Sequence, residues 1–169
     1  VGAVTLHTDP PGTRVELHRF ERVHRRLVPS PIRTLGRTPL VGVRLEMGSY
    51  LLVLRAPGRA PVHYPVHIAR QQHWDGCPPG DTVPELIPIP TRLAEWECYV
   101  PAGWSQFGGD TKAPGALPRR RLWCPGFVIS QFPVTNAEYL RFLDALVAEG
   151  REAEALAYAP RHKSGRDGK

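Results

Sequence analysis

Apolar and polar residues alternate along most of the first 70 positions, the period-two pattern of half-buried strands. In Ala3–Thr8, Val4 and Leu6 fall on one face and Thr5 and His7 on the other. Thr13–Leu17 repeats the pattern, with Val15 and Leu17 inward and Arg14 and Glu16 outward. Tyr50–Leu54 is apolar on both faces, which predicts a central, buried strand. Val62, Tyr64, Val66 and Ile68 share one face of Pro61–Ile68. Pro65 has no N–H to give a neighbour, so this strand belongs at a sheet edge. Turn chemistry punctuates these runs at Asp9-Pro10-Pro11-Gly12, Leu35–Leu40, Met47-Gly48-Ser49 and Ala56–Arg59. The basic stretch 18–31, ending in Pro29-Ser30-Pro31, reads as a long hairpin excursion. Short strands broken this often predict a small antiparallel β-sandwich over residues 1–70.

The pattern then changes. His73–Gly80 is loop chemistry, and Leu86-Ile87-Pro88-Ile89-Pro90 must be extended, because a proline disfavours helix in the residue before it. Residues 71–96 therefore read as an ordered, proline-rich connector. A second unit is expected over 97–169, with a strand over Gly126–Phe132 followed by a helix over Thr135–Glu149. Thr135 is a good N-cap, Glu138 completes a capping box, and Val134 is placed to staple against Tyr139. Tyr139, Phe142, Leu143, Leu146 and Val147 recur at helical spacing and form one apolar face. Gly150 is the natural stop. A shorter helix over Arg151–Ala159 closes at Pro160. The fold class is thus α+β, a β-sandwich followed by a unit with one or two helices.

Composition narrows the function more than the fold. The 169 residues include 19 Pro and 16 Gly, too many for a long all-helical protein, since each interior proline costs about 3 kcal/mol. No apolar run approaches the roughly 18 residues of a membrane helix. Lys and Arg number 22 against 16 Asp and Glu, a formal charge of +6. That charge is scattered, with Arg119-Arg120-Arg121 the densest cluster and Arg25-Arg26 the next. A nucleic-acid module shows a longer basic stripe with interleaved aromatics, so solvated surface is the favoured reading. Cys77, Cys98 and Cys124 form no C-x-x-C pair and read as reduced, structural cysteines.

Candidate chemistry is sparse. His63, His67 and His73 are the nearest possible metal set. Four residues along a strand hold His63 and His67 roughly 13 Å apart. Two zinc ligands must each come within about 2.0–2.1 Å of one ion, so surface histidines are expected instead. Gly108-Gly109-Asp110 lacks the Lys-Ser/Thr of a phosphate loop, and Ser105 has no nearby His to act as its base. No catalytic, cofactor-binding or metal-ligating residue is assigned from the residues alone.

Three segments of the first 70 residues resemble a PEGA domain, a small β-rich bacterial module. They are Pro11–Leu17, Leu35–Leu40 and Gly48–Leu54, in matching order and spacing. The name-giving tetrapeptide itself is replaced by Pro11-Gly12-Thr13. The second unit resembles the start of a formylglycine-generating enzyme domain, the sulfatase-modifying factor family, which has a C-type-lectin-like fold. Val100–Asp110 is similar to that family's glycine-rich opening, with Phe107-Gly108 where Met-Gly is usual. Phe127–Phe142 is similar to its strand-then-helix signature. The resemblance implies a multidomain bacterial protein, leaning to the cytoplasm, in some relatives joined to a Ser/Thr kinase. Active relatives oxidise a sulfatase cysteine with oxygen and copper on a late cysteine pair that Cys98 and Cys124 do not match. Calcium sites also lie in later segments. The chain begins Val1-Gly2 and ends in the polar run His162–Lys169, which reads as a piece of a longer protein. No cofactor is therefore expected in this chain, with copper or calcium belonging to the remainder. The expected partner is the rest of the same domain, another protein chain or a target protein. The runner-up functions are a lectin-like binding module without catalysis and a regulatory region of a kinase.

Overall fold

The computed structural model describes residues 1–160, and the polar run 162–169 lies outside them. The chain divides into two units, Val1–Gln131 and Phe132–Lys169.

The first unit begins with six strands: β1 (Gly2–Asp9), β2 (Arg14–Val23), β3 (Arg26–Arg37), β4 (Leu40–Leu45), β5 (Gly48–Arg55) and β6 (Val62–Ile68). Strands β3-β2-β5-β6 form one antiparallel sheet in that order. The buried and exposed residues of β6 alternate without a break, as its sequence pattern predicts. Pro65 stands opposite Leu51 on this terminal strand. The hairpin between β2 and β3 turns on only His24 and Arg25, with φ of 47° and 67°. A two-residue loop with both φ positive matches strand twist, and it usually selects Asn-Gly or Gly-Gly. Neither residue here advertises the turn, which is why the excursion is legible in sequence but its tip is not.

The second sheet departs from the antiparallel expectation. Strand β1 pairs antiparallel with β4, but parallel with β7 (His73–Trp74) and β8 (Leu86–Pro88). Both parallel strands come from residues 71–96, expected as a connector. They return beside β1 only after the whole of β2–β6 has intervened, the long crossover that parallel pairing needs. Trp74, Ile87 and Ile89 from this stretch are buried. Trp74 and Ile87 join Val4, Val15, Leu52, Leu54 and Ile68 in one core. Leu52 and Leu54 are fully buried, each contributing about 1.5–3 kcal/mol relative to exposure.

Polar groups tie the turns to that core. The Thr38 hydroxyl accepts from the Thr13 amide at 3.1 Å and hydrogen-bonds the buried Thr8 hydroxyl. The Thr13 hydroxyl donates to the Pro10 carbonyl at 2.9 Å. The 9–13 turn and the 35–40 turn are thereby held together at one end of the sandwich.

Four further strands complete the first unit: β9 (Glu97–Val100), β10 (Gly103–Phe107), β11 (Arg120–Cys124) and β12 (Phe127–Ser130). They form two antiparallel pairs, β10–β11 and β9–β12. The compact boundary therefore falls after Gln131, and residues 97–131 group with the sandwich. The physical reason is packing: Tyr99 and Trp104 rest against the core of the first 70 residues.

The second unit contains α1 (Asn136–Ala148) and α2 (Glu152–Tyr158). The Thr135 hydroxyl accepts from the Glu138 amide at 3.2 Å, and the Glu138 carboxylate accepts from the Thr135 amide at 2.8 Å. This is the expected capping box. The hydrogen bonds also hold the exposed Glu138 carboxyl below its ordinary range. At the other end Gly150 takes φ of 76°. Its amide donates to Val147 and the Arg151 amide to Leu146, the paired bonds of a Schellman stop. Leu146 and Ala155 are buried, and Tyr139 donates through its hydroxyl to the Tyr158 carbonyl at 2.6 Å. Val134, expected to staple the helix start, is exposed instead.

Candidate functional site

The residues weighed for catalysis are placed apart by the fold. His63 and His67 lie on the outward face of β6. The His67 ring hydrogen-bonds the Ser49 hydroxyl at 3.2 Å, and the His73 ring bonds the Thr5 hydroxyl at 2.7 Å. Partial burial, with Arg55 and His18 nearby, lowers the pKa of His63. Among the described residues no group of three or more His, Cys, Asp or Glu is assembled as a metal set. The three cysteines are free and half-buried. Desolvation, with the Asp75 and Asp81 carboxylates, pushes the Cys77 thiol up, which suppresses the thiolate a nucleophile requires. Ser105 lies on β10 opposite Leu122. Gly108 belongs to the loop from β10 to β11, where φ is 67° and a side chain would collide with the Leu117 carbonyl. The glycine pair is thus explained by a tight loop without invoking phosphate.

One surface does bring chemistry together. In the β10–β11 ladder Trp104 stands opposite Trp123, and Gln106 opposite Arg121. Alternation along each strand puts Trp104, Gln106, Arg121 and Trp123 on the same face, and Arg119, just before β11, joins them through Gln106. The two indoles meet edge-to-face, with centroids 5.5 Å apart. The Arg121 guanidinium sits 4.4 Å above the Trp104 ring, a cation–π contact. Arg119 donates to the Gln106 carboxamide oxygen from Nε at 3.1 Å, and again from Nη2. This face borders an open groove of about 510 Å³, whose other lining includes Tyr50, Val66, Gln72 and Trp74. Trp74 and Tyr64 brace the wall, the indole donating to the phenol at 3.0 Å. Burial pushes the Tyr64 phenol up to about 12.

Sequence reasoning took Arg119-Arg120-Arg121 as solvated charge and missed this groove. The available signal was the period of two: Arg121 and Trp123 alternate on one strand, with Arg119 just before it, and Trp104 and Gln106 alternate on its partner. What the pattern lacks is the pairing register, which is set by the loop around Gly108.

Each unit also leaves apolar side chains exposed. Phe127, Val128 and Ile129 of β12 are all exposed. In the second unit Leu140, Phe142, Val147, Leu156 and Tyr158 are exposed as well. No helix among the described residues is long and apolar enough to cross a membrane.

Compared with protein-family models, curated proteins and solved structures, the chain matches none.

Proposed function

We propose that the chain is a PEGA-like β module followed by a formylglycine-generating-enzyme-like segment, and that it serves as an interaction region without a complete oxidase site of its own. Two arrangements support the family reading. The three PEGA-like segments converge on one module: Arg14–Leu17 lies on β2, Thr38 bonds back to Thr13, and Tyr50–Leu54 lies on β5 beside β2. The strand-then-helix segment forms β12 and α1, and a complete capping box starts the helix.

The observation that carries the functional reading is the set of exposed apolar side chains in the second unit. Leu156 is 69% exposed and Phe132 74%. Large exposed apolar patches mark surfaces that another polypeptide covers. The partner in this reading is the remainder of the lectin-like domain or a second protein.

A direct test asks whether this chain oxidises cysteine. It is incubated with copper and a sulfatase-derived cysteine peptide, and the product is read by mass spectrometry. No formylglycine is expected. Turnover would overturn the reading and place a working oxidase site within these residues.

A further inference from the structure

We infer that the groove beside β10 and β11 binds an acidic segment of a partner protein, one in which carboxylates alternate with apolar or aromatic side chains. The charge argument comes first. Arg119 and Arg121 both line the groove, and no carboxylate does. Among the described residues neither arginine forms a salt bridge. The two guanidinium groups are nevertheless held in place, Arg121 by the Trp104 ring and Arg119 by the Gln106 carboxamide. Arg121, held by its face, keeps its N–H edge for a carboxylate, which it can take through two parallel hydrogen bonds, whereas Arg119 spends its Nε and Nη2 on Gln106 and offers its charge and remaining N–H groups. Holding the side chain beforehand also reduces the entropy lost on binding.

The floor decides what accompanies the carboxylates. Tyr50, Val66 and Trp74 belong to the core and show only their edges to the groove, which gives it a shallow apolar floor. Side chains on alternate positions of an extended segment point to opposite sides, so an apolar residue can reach this floor while its neighbours meet the arginines. The groove is open along its length, which suits an extended chain rather than an enclosed small ligand.

Two rivals fit less well. Strand addition to β6 is opposed by Pro65, which lines the groove and has no N–H to offer. Single-stranded nucleic acid needs free aromatic faces on which bases stack. Here the Trp104 face is already covered by Arg121.

The test is fluorescence anisotropy with a short, fluorescein-labelled peptide alternating Glu and Tyr. Binding is expected, and it should weaken with added salt. The matching Gln/Tyr peptide should lose at least about tenfold in affinity, as should Arg119→Gln/Arg121→Gln. Gln72→Glu keeps the oxygen that accepts from the Ala69 amide and adds a negative charge to the lining. It should weaken binding without touching either arginine. Near-UV circular dichroism checks each variant, and Gln72→Glu decides the matter if the arginine pair perturbs the fold. Arg14→Gln/Arg37→Gln, at the end of the β2–β3 pair away from the groove-lining Phe20 and Leu27, removes the same charge and should change binding little. Equal loss there would reduce the effect to net charge and overturn the proposal. Absence of binding to the Glu/Tyr peptide would overturn it as well. So would tighter binding of oligothymidine through the same two arginines.

Discussion

The sandwich interior and strand β12 are built from the same kinds of residue, with opposite outcomes. Leu52 and Leu54 on β5 are fully buried, while Val128 and Ile129 on β12 remain about half exposed, at 51% and 49%. Both strands are short and apolar. The difference is the number of layers. Strand β5 is flanked by β2 and β6, and its sheet shares a core with the sheet around β1. Strand β12 pairs with β9 alone, in a two-stranded ribbon. That ribbon reaches the core through Tyr99 of β9 while every residue of β12 stays exposed, and two strands alone are marginal in water. The comparison teaches that periodicity predicts the element, whereas burial depends on what the rest of the chain brings opposite it.

Substitutions of decreasing effect can break or sharpen that comparison. Leu52→Ala should cost about 2–5 kcal/mol in chemical denaturation, as a deletion in a fully buried site does. A loss below about 1 kcal/mol would mean the sandwich core is looser than its burial implies. Tyr64→Phe should cost about 1–3 kcal/mol, because it removes the acceptor of the Trp74 indole N–H. At present no buried side-chain N or O among the described residues lacks a partner.

The same tyrosine gives a pH signature. Its phenol is raised to about 12, so the fold favours the neutral form. That contribution is fully present below the unfolded pKa of about 10 and is lost as pH rises through about 12. Ultraviolet titration should show the last ionisation near pH 12, from Tyr64, with the half-buried Tyr99 also delayed by burial. Early, uniform ionisation would contradict its burial.

Thr135→Ala should cost about 1 kcal/mol, read from helix content or the denaturation midpoint. The cap's acid partner works in the opposite pH range. Because Glu138 is held below its ordinary range, its contribution is present above that range and disappears as pH falls through the lowered value. The smallest effect belongs to Leu156→Ser, within about 0.5 kcal/mol for an exposed site. If a partner covers this face, the same change should cost far more in the assembly than in the chain alone. Equal costs would remove the functional reading of the patch.

Much of the fold was legible because local chemistry and global position agree. Val15 and Leu17 point inward, Pro65 lies on an edge strand, and Thr135 with Glu138 starts a helix. The parts that were not legible depend on partners distant in sequence. Nothing local in His73-Trp74 or Leu86–Pro88 announces parallel pairing with β1, since two or three residues carry no period. The groove was hidden for a related reason. Arg121 looks like ordinary surface charge until the ladder brings Trp104 beneath it.

The prolines of the β3-β2-β5-β6 sheet have a further consequence. Pro65 lies on one terminal strand, and Pro29 and Pro31 lie on the other. Each interrupts the row of amide donors that an incoming strand would use. Neither margin can therefore template stacking of one molecule upon the next, and fibril growth from this sheet is blocked at both ends. Strand β12, Phe-Val-Ile-Ser, carries no such guard. A crowded, partnerless population of this protein would begin to self-associate there, and covering that strand protects solubility as well as completing an interface.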